Sequence, residues 1–136
     1  MTQLMIDATV ANIDPVTAFI DEQLEAMDCS MKVQMQIDVA VDEIFSNIAN
    51  YAYPDQTGKA EIIVEALTDP RAVRITFKDQ GMDFNPLEQP DPDVTASADK
   101  RKTGGLGIYI VKRSMSKVEY QRENGFNIFV ITKNLD

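Results

Sequence analysis

Apolar residues recur along this chain at two spacings, and the changes from one spacing to the other mark out its elements. Over residues 3–11, QLMIDATVA, the β-branched and apolar content suits a first strand. Asp14-Pro15 then offers a helix cap with proline at the first helical position, and Val16, Phe19, Ile20, Leu24 and Met27 follow at three- and four-residue intervals. That interval predicts a helix to about Met27 with one buried stripe, leaving Asp21, Glu22 and Glu25 for water. Ser30 can cap a second helix, where Ile37, Val41, Ile44, Ile48 and Ala52 keep the spacing until Tyr53-Pro54 closes it. The period then shortens to two. KAEIIVEAL and AVRITFKD are joined by the turn-forming TDPR, and Val73, Ile75 and Phe77 alternate with Arg74, Thr76 and Lys78, which predicts a β-hairpin with one wet face. Residues 79–103 show no period. Beyond them GIYIVKRSM fits a helix, and KVEYQREN and FNIFVITK flank Asn124-Gly125, a two-residue hairpin signal.

Strand, helix, helix, two strands, loop, helix, two strands: this order predicts the α+β class. The expected form is a two-layer α/β sandwich, with about three helices covering one face of a mostly antiparallel mixed sheet. No repeat, low-complexity tract or second core interrupts residues 1–136, which read as a single domain.

Composition narrows the choice of function. The chain has 136 residues, 44% hydrophobic and 26% charged, and no segment approaches the ~20 apolar residues that a membrane crossing needs. MTQLMIDATV has neither the basic leader nor the apolar run of a secretory signal, so a cytoplasmic location is expected, with no membrane partner. A formal charge of −9 argues against direct nucleic-acid binding, which depends on clustered Lys and Arg. Lys100, Arg101 and Lys102, with Lys112 and Arg113 beyond, interrupt the acidity and suggest a small anionic ligand. Cys29 is the single cysteine and the chain has no histidine, which excludes an internal disulfide and disfavours a metal cluster; Cys29 reads as structural. Met5, Met27, Met31 and Met35 read as core residues, with a subunit interface as the other use for them.

Three stretches carry candidate chemistry. In DEIFSNIANYA, Glu43 and Asn47 stand four residues apart, which stacks both on one helix face beside the apolar stripe. In FKDQGMDFNP, Asp79 ends a strand two residues before Gly81; a carboxylate there can accept from an exocyclic amine, and the glycine lets a flat base come close. In KRKTGGLGIYIVKRSM, Gly104, Gly105 and Gly107 precede the helix led by Ile108, and exposed N–H groups at a helix start attract phosphate. The spacing fits neither Gly-x-x-x-x-Gly-Lys-Ser/Thr nor Gly-x-Gly-x-x-Gly. Taken singly, each stretch has a plainer reading: a solvated helix edge, a common turn, a flexible hinge.

Taken together and in this order, they resemble the motifs of the Bergerat-type, histidine kinase-like ATPases. The chain looks most like the small single-domain members, the anti-sigma factor serine-protein kinases. By that resemblance DEIFSNIANYAYP matches the N-box, which implies Glu43 as catalytic base and Asn47 as the ligand of Mg²⁺. DQGMDFNP implies Asp79 at the adenine amino group with Gly81 against the base, and TGGLGIYIVK resembles the glycine box. ATP would then be held by Asn47, Asp79, Gly81, Lys102, Thr103, Gly104, Gly105, Leu106 and Gly107, with residues 82–103 as the ATP lid. The implied function is phosphorylation of a serine on an anti-sigma factor antagonist, together with sequestration of a sigma factor, in a possible homodimer. A nucleotide-dependent interaction switch without phosphotransfer is the alternative, and an adaptor that has lost nucleotide is a further one. Histidine autophosphorylation is excluded within the chain. Three positions depart from the family pattern: Asp83 replaces the second glycine of Asp-x-Gly-x-Gly, Phe126 follows Gly125 where threonine is usual, and Tyr51 replaces a histidine and is expected to serve packing.

Overall fold

The computed structural model describes residues 1–88 and 103–136. Its elements are β1 (Thr2–Asp7), α1 (Ile13–Ala26), α2 (Met31–Asn47), β2 (Lys59–Leu67), β3 (Ala72–Asp79), α3 (Thr103–Ser114), β4 (Lys117–Glu123) and β5 (Phe126–Asn134). The sheet order is β1-β2-β3-β5-β4, and all four neighbouring pairs are antiparallel. The expected sandwich is present, and the sheet among the described residues contains no parallel pair. Topology explains this. The α1–α2 pair returns the chain to run β2 against β1, and β5 inserts between β3 and β4, which run the same way without touching.

The periodic positions fill the core as their spacing predicts. Val16, Ile20 and Leu24 of α1 and Ile37, Val41 and Ile44 of α2 are buried against Ile62, Val64, Ile75, Phe77, Phe129 and Ile131 of the sheet. Phe45 and Phe77 are fully buried, and truncating either to alanine would cost about 3–5 kcal/mol. The Ser30 hydroxyl caps α2, accepting from the Val33 N–H at 3.3 Å. Helix α1 begins two residues earlier than expected, at Ile13, so Asp14 lies in its first turn instead of at its cap. The β4–β5 hairpin turns at Asn124 and Gly125, with φ of 53° and 83°, the left-handed pair that such a turn demands.

Three expectations change. Met5, Met31 and Met35 are exposed instead of in the core, while Met27 is partly buried. Asp21 is half-buried, its Oδ1 closed off from water at the α1–α2 seam. Helix α3 starts at Thr103, so the three glycines lie inside its first turns instead of ahead of it.

Candidate functional site

Helix α2 does not simply stop. After Asn47 it widens into a π-helical turn, Ile48–Ala52, and the Ala52 carbonyl leaves the helix to accept from the Met82 N–H at 2.9 Å. Tyr53 fastens the same corner: its hydroxyl donates to the Lys59 carbonyl at 2.7 Å and accepts from the Gln80 N–H at 2.8 Å. The end of α2, the start of β2 and the end of β3 are thereby held together.

Between this corner and α3 lies a mostly apolar pocket enclosing about 420 Å³, its open mouth included. Ile44, Ile48, Phe84, Ile108 and Phe129 supply apolar walls, and Asn47, Asp79, Tyr120 and Asn127 supply the polar groups. Asp79 and Asn127 are the polar residues fully buried among those described, at 5% and 6% exposure. They face each other across the β3–β5 ladder. Asp79 Oδ1 accepts from the Gly81 N–H and from Asn127 Nδ2, both at 2.9 Å. Among the described residues no hydrogen bond reaches Oδ2. Burial pushes the Asp79 carboxyl above its ordinary value, while Asn127, the Gly81 N–H and the charge of Arg122 pull it back. A mostly apolar pocket lined by such a carboxylate suits a base that offers an amine.

The other polar element is the Glu43–Asn47 pair on α2. Burial raises the half-buried Glu43 carboxyl above the usual value, an effect opposed by its hydrogen bond with Asn47 and reinforced by the charge of Asp42. Since the Asn47 amide nitrogen is the donor to Glu43, its oxygen is left as a ligand for a hard cation. That donor set fits Mg²⁺ with phosphate and water completing the shell. Glu43 itself does not line the pocket. It lies over Gly107, where a Cβ would fall within the Glu43 carboxyl group.

Of the residues expected at the site, the structure brings Asn47 and Asp79 to one cavity and sets Glu43 and Gly107 against each other beside it. Gly81 has a reason other than the one expected: the space a Cβ would take belongs to Ala52, so the glycine serves the α2 corner. Thr103, Gly104, Gly105 and Leu106 form the opening turn of α3. Lys102 lies outside the described residues, as does the expected lid beyond residue 88. Tyr51 is exposed, its ring 6.2 Å from that of Phe84.

Asn127, Tyr120 and Arg122 were not anticipated. Strand alternation holds the signal: on β5, Asn127 shares its parity with the core residues Phe129 and Ile131, so it is a polar side chain at a core position. Phe126 points to the opposite face, under Lys78 at 4.9 Å. The departure from the family pattern at Phe126 therefore does not touch the pocket.

The sequence matches a known family over most of its length. The chain belongs to the family described as the histidine kinase-like ATPase domain, whose model matches residues 6–133. Among individual relatives, it is 25% identical over 105 residues to the serine/threonine-protein kinase BtrW of Bordetella bronchiseptica, covering 77% of this chain and 73% of that protein. It is 26% identical over 137 residues to the serine-protein kinase RsbW of Bacillus pumilus, covering 97% and 78%. The fold superimposes on the RsbU and RsbW domains of a Mycobacterium tuberculosis protein with a TM-score of 0.67 at 17% identity, across 99% of this chain and 33% of that one. The chain thus spans about a third of that solved structure. No helix among the described residues is long and apolar enough to cross a membrane.

Proposed function

We propose that the protein is a Mg-ATP-dependent serine-protein kinase that also acts as an anti-sigma factor, phosphorylating a serine of an antagonist protein and releasing or holding a sigma factor accordingly. One observation carries the nucleotide reading: the buried Asp79 carboxylate, with Oδ1 saturated by two donors, lines a mostly apolar pocket of the chemistry that adenine requires. The partners rest on similarity to proteins named as serine-protein kinases. A cytoplasmic setting accompanies that reading.

In this reading Asp79 accepts from the adenine amino group and Asn47 holds Mg²⁺ through its amide oxygen. Magnesium, once bound, neutralises charge on the phosphate oxygens. The first-turn N–H groups of α3, at Thr103, Gly104 and Gly105, donate to the phosphate tail. Glu43 takes the proton of the attacking serine hydroxyl; its raised pKa makes it a stronger base than an exposed glutamate while leaving it able to ionise.

A switch without phosphotransfer uses the same pocket, and one observation favours it: Glu43 packs on Gly107 and does not line the cavity. Glu43→Gln separates the two. The kinase reading expects ATP affinity within about threefold of wild type and transfer reduced by a factor on the order of 10²–10⁴. Transfer to the antagonist at the wild-type rate, measured with radiolabelled ATP, would remove Glu43 from the chemistry.

A further inference from the structure

A single rung of the sheet passes beneath the buried end of the pocket. Arg122 of β4 stands opposite Asn127 of β5, and Asn127 opposite Asp79 of β3. The three share the parity of the core-facing residues of their strands, Phe77, Phe129 and Tyr120, and so lie on one face. Asn127 uses its whole hydrogen-bonding capacity. Its Nδ2 donates to Asp79 Oδ1 at 2.9 Å and to the Met82 carbonyl at 2.8 Å; its Oδ1 accepts from the Tyr120 hydroxyl at 2.5 Å and from Arg122 Nη1 at 3.1 Å. Arg122 Nη1 also donates to the Gly81 carbonyl at 2.8 Å.

A carboxamide can rotate by half a turn and exchange its oxygen and nitrogen. Here that would set oxygen against Asp79 and against the Met82 carbonyl, and nitrogen against the Arg122 guanidinium. Both donors from β4 oppose the flip, because Tyr120 and Arg122 can both donate only to an oxygen at that position.

We propose that Tyr120 and Arg122 are positioning residues for base recognition: they hold the Asn127 amino group on Asp79 Oδ1, so that Oδ2 alone meets an entering exocyclic amine. The inference rests on the nucleotide reading above and deepens it. It assigns the preference for an amino-purine to a brace on β4, two strands away from the carboxylate that reads the amine. Tyr120 has a second neighbour in Asp83 Oδ1, at 3.2 Å. Its one hydroxyl proton can serve Asn127 or Asp83, and the shorter contact assigns it to Asn127.

The test compares ATP with purine riboside triphosphate, which lacks the exocyclic amine, by calorimetric titration of wild type, Tyr120→Phe and Arg122→Gln. Unfolding of each without nucleotide is followed in parallel. Wild type is expected to favour ATP by roughly tenfold or more, the scale of a hydrogen bond to a charged acceptor. In each variant the ratio should fall to about threefold or less. Arg122 is exposed, so its variant tests the idea even if Tyr120→Phe does not fold. Lower melting temperatures with the ratio intact would mean a purely structural brace and overturn the inference alone, whereas equal affinity of wild type for both nucleotides would overturn the inference together with the role of Asp79 in reading the amine. Wild type that bound neither would overturn the nucleotide reading and this inference with it.

Discussion

Asp79 and Asp38 are among the described carboxylates drawn out of water, and their surroundings treat them in opposite ways. Asp79, at the end of β3, is met by donors: the Gly81 N–H, the Asn127 amide and the nearby Arg122 charge all offset the cost of its burial. Asp38, on α2, meets another acid. Its Oδ1 and that of Asp21 on α1 are closed off from water without a donor, and its carboxyl is pushed up to about 7 by burial, then by the hydrogen bond with Asp21 and by its charge. Burial raises both; the partner decides how far a negative charge survives. One site is built to keep an anion facing a cavity. The other sets two acids against each other at the helix seam, where burial and the neighbouring acid favour the neutral form of Asp38.

The comparison can be broken most severely at Asp79. Asp79→Asn replaces the Oδ2 acceptor or its neighbour with a donor, and ATP affinity should fall on the order of 100-fold by calorimetry, about 2.7 kcal/mol. Unchanged affinity would mean that the carboxylate does not read the base. Asn127→Leu removes a donor and leaves Asp79 buried without it, which should destabilise the protein by about 2 kcal/mol in urea unfolding at pH 8. The sign follows from linkage. The folded state then holds its Asp79 proton to still higher pH than the unfolded chain, so the variant should lose stability as pH rises and recover part of it at pH 5.

Asp38→Asn should act the other way and more weakly. With the folded carboxyl near 7 and its ordinary value at 3.8, the folded state binds the extra proton between those limits, and stability declines as pH rises through that window. The amide removes the titration and can donate to Asp21. We expect a gain of about 1 kcal/mol at pH 8, after allowance for solvent screening of partly exposed groups, and a flatter pH profile. A profile unchanged by the substitution would remove Asp38 from the pH dependence.

The contrast also marks what a one-dimensional reading can reach. Spacing found α1, α2 and the β2–β3 hairpin because each buries one face at a regular period. Content marked β1 and the Asn124-Gly125 turn marked β4 and β5, while the short 3-10 turns Val10–Asn12 and Pro86–Glu88 and the π-helical end of α2 carry no such signal. Asp79, Asn47 and Glu43 were legible as polar groups where motif and core stripe coincide. The purpose of Gly81 and Gly107 was not, because each makes room for a residue far away in sequence, Ala52 and Glu43. Asn127 was missed for a related reason: the motif directed attention to Phe126, and only strand parity reveals that the next residue faces the pocket. The Asp21–Asp38 pair escaped because α1 alone assigns Asp21 to its wet side. Only the packing of α2 against it removes the water.

The account stands on an adenine nucleotide entering the slot above Asp79, and thermal unfolding of the wild-type protein tests that most directly. With Mg-ATP at about 100 times its dissociation constant, the folded state should gain about 2.7 kcal/mol and the melting temperature should rise accordingly. A melting temperature unmoved by millimolar Mg-ATP would contradict it.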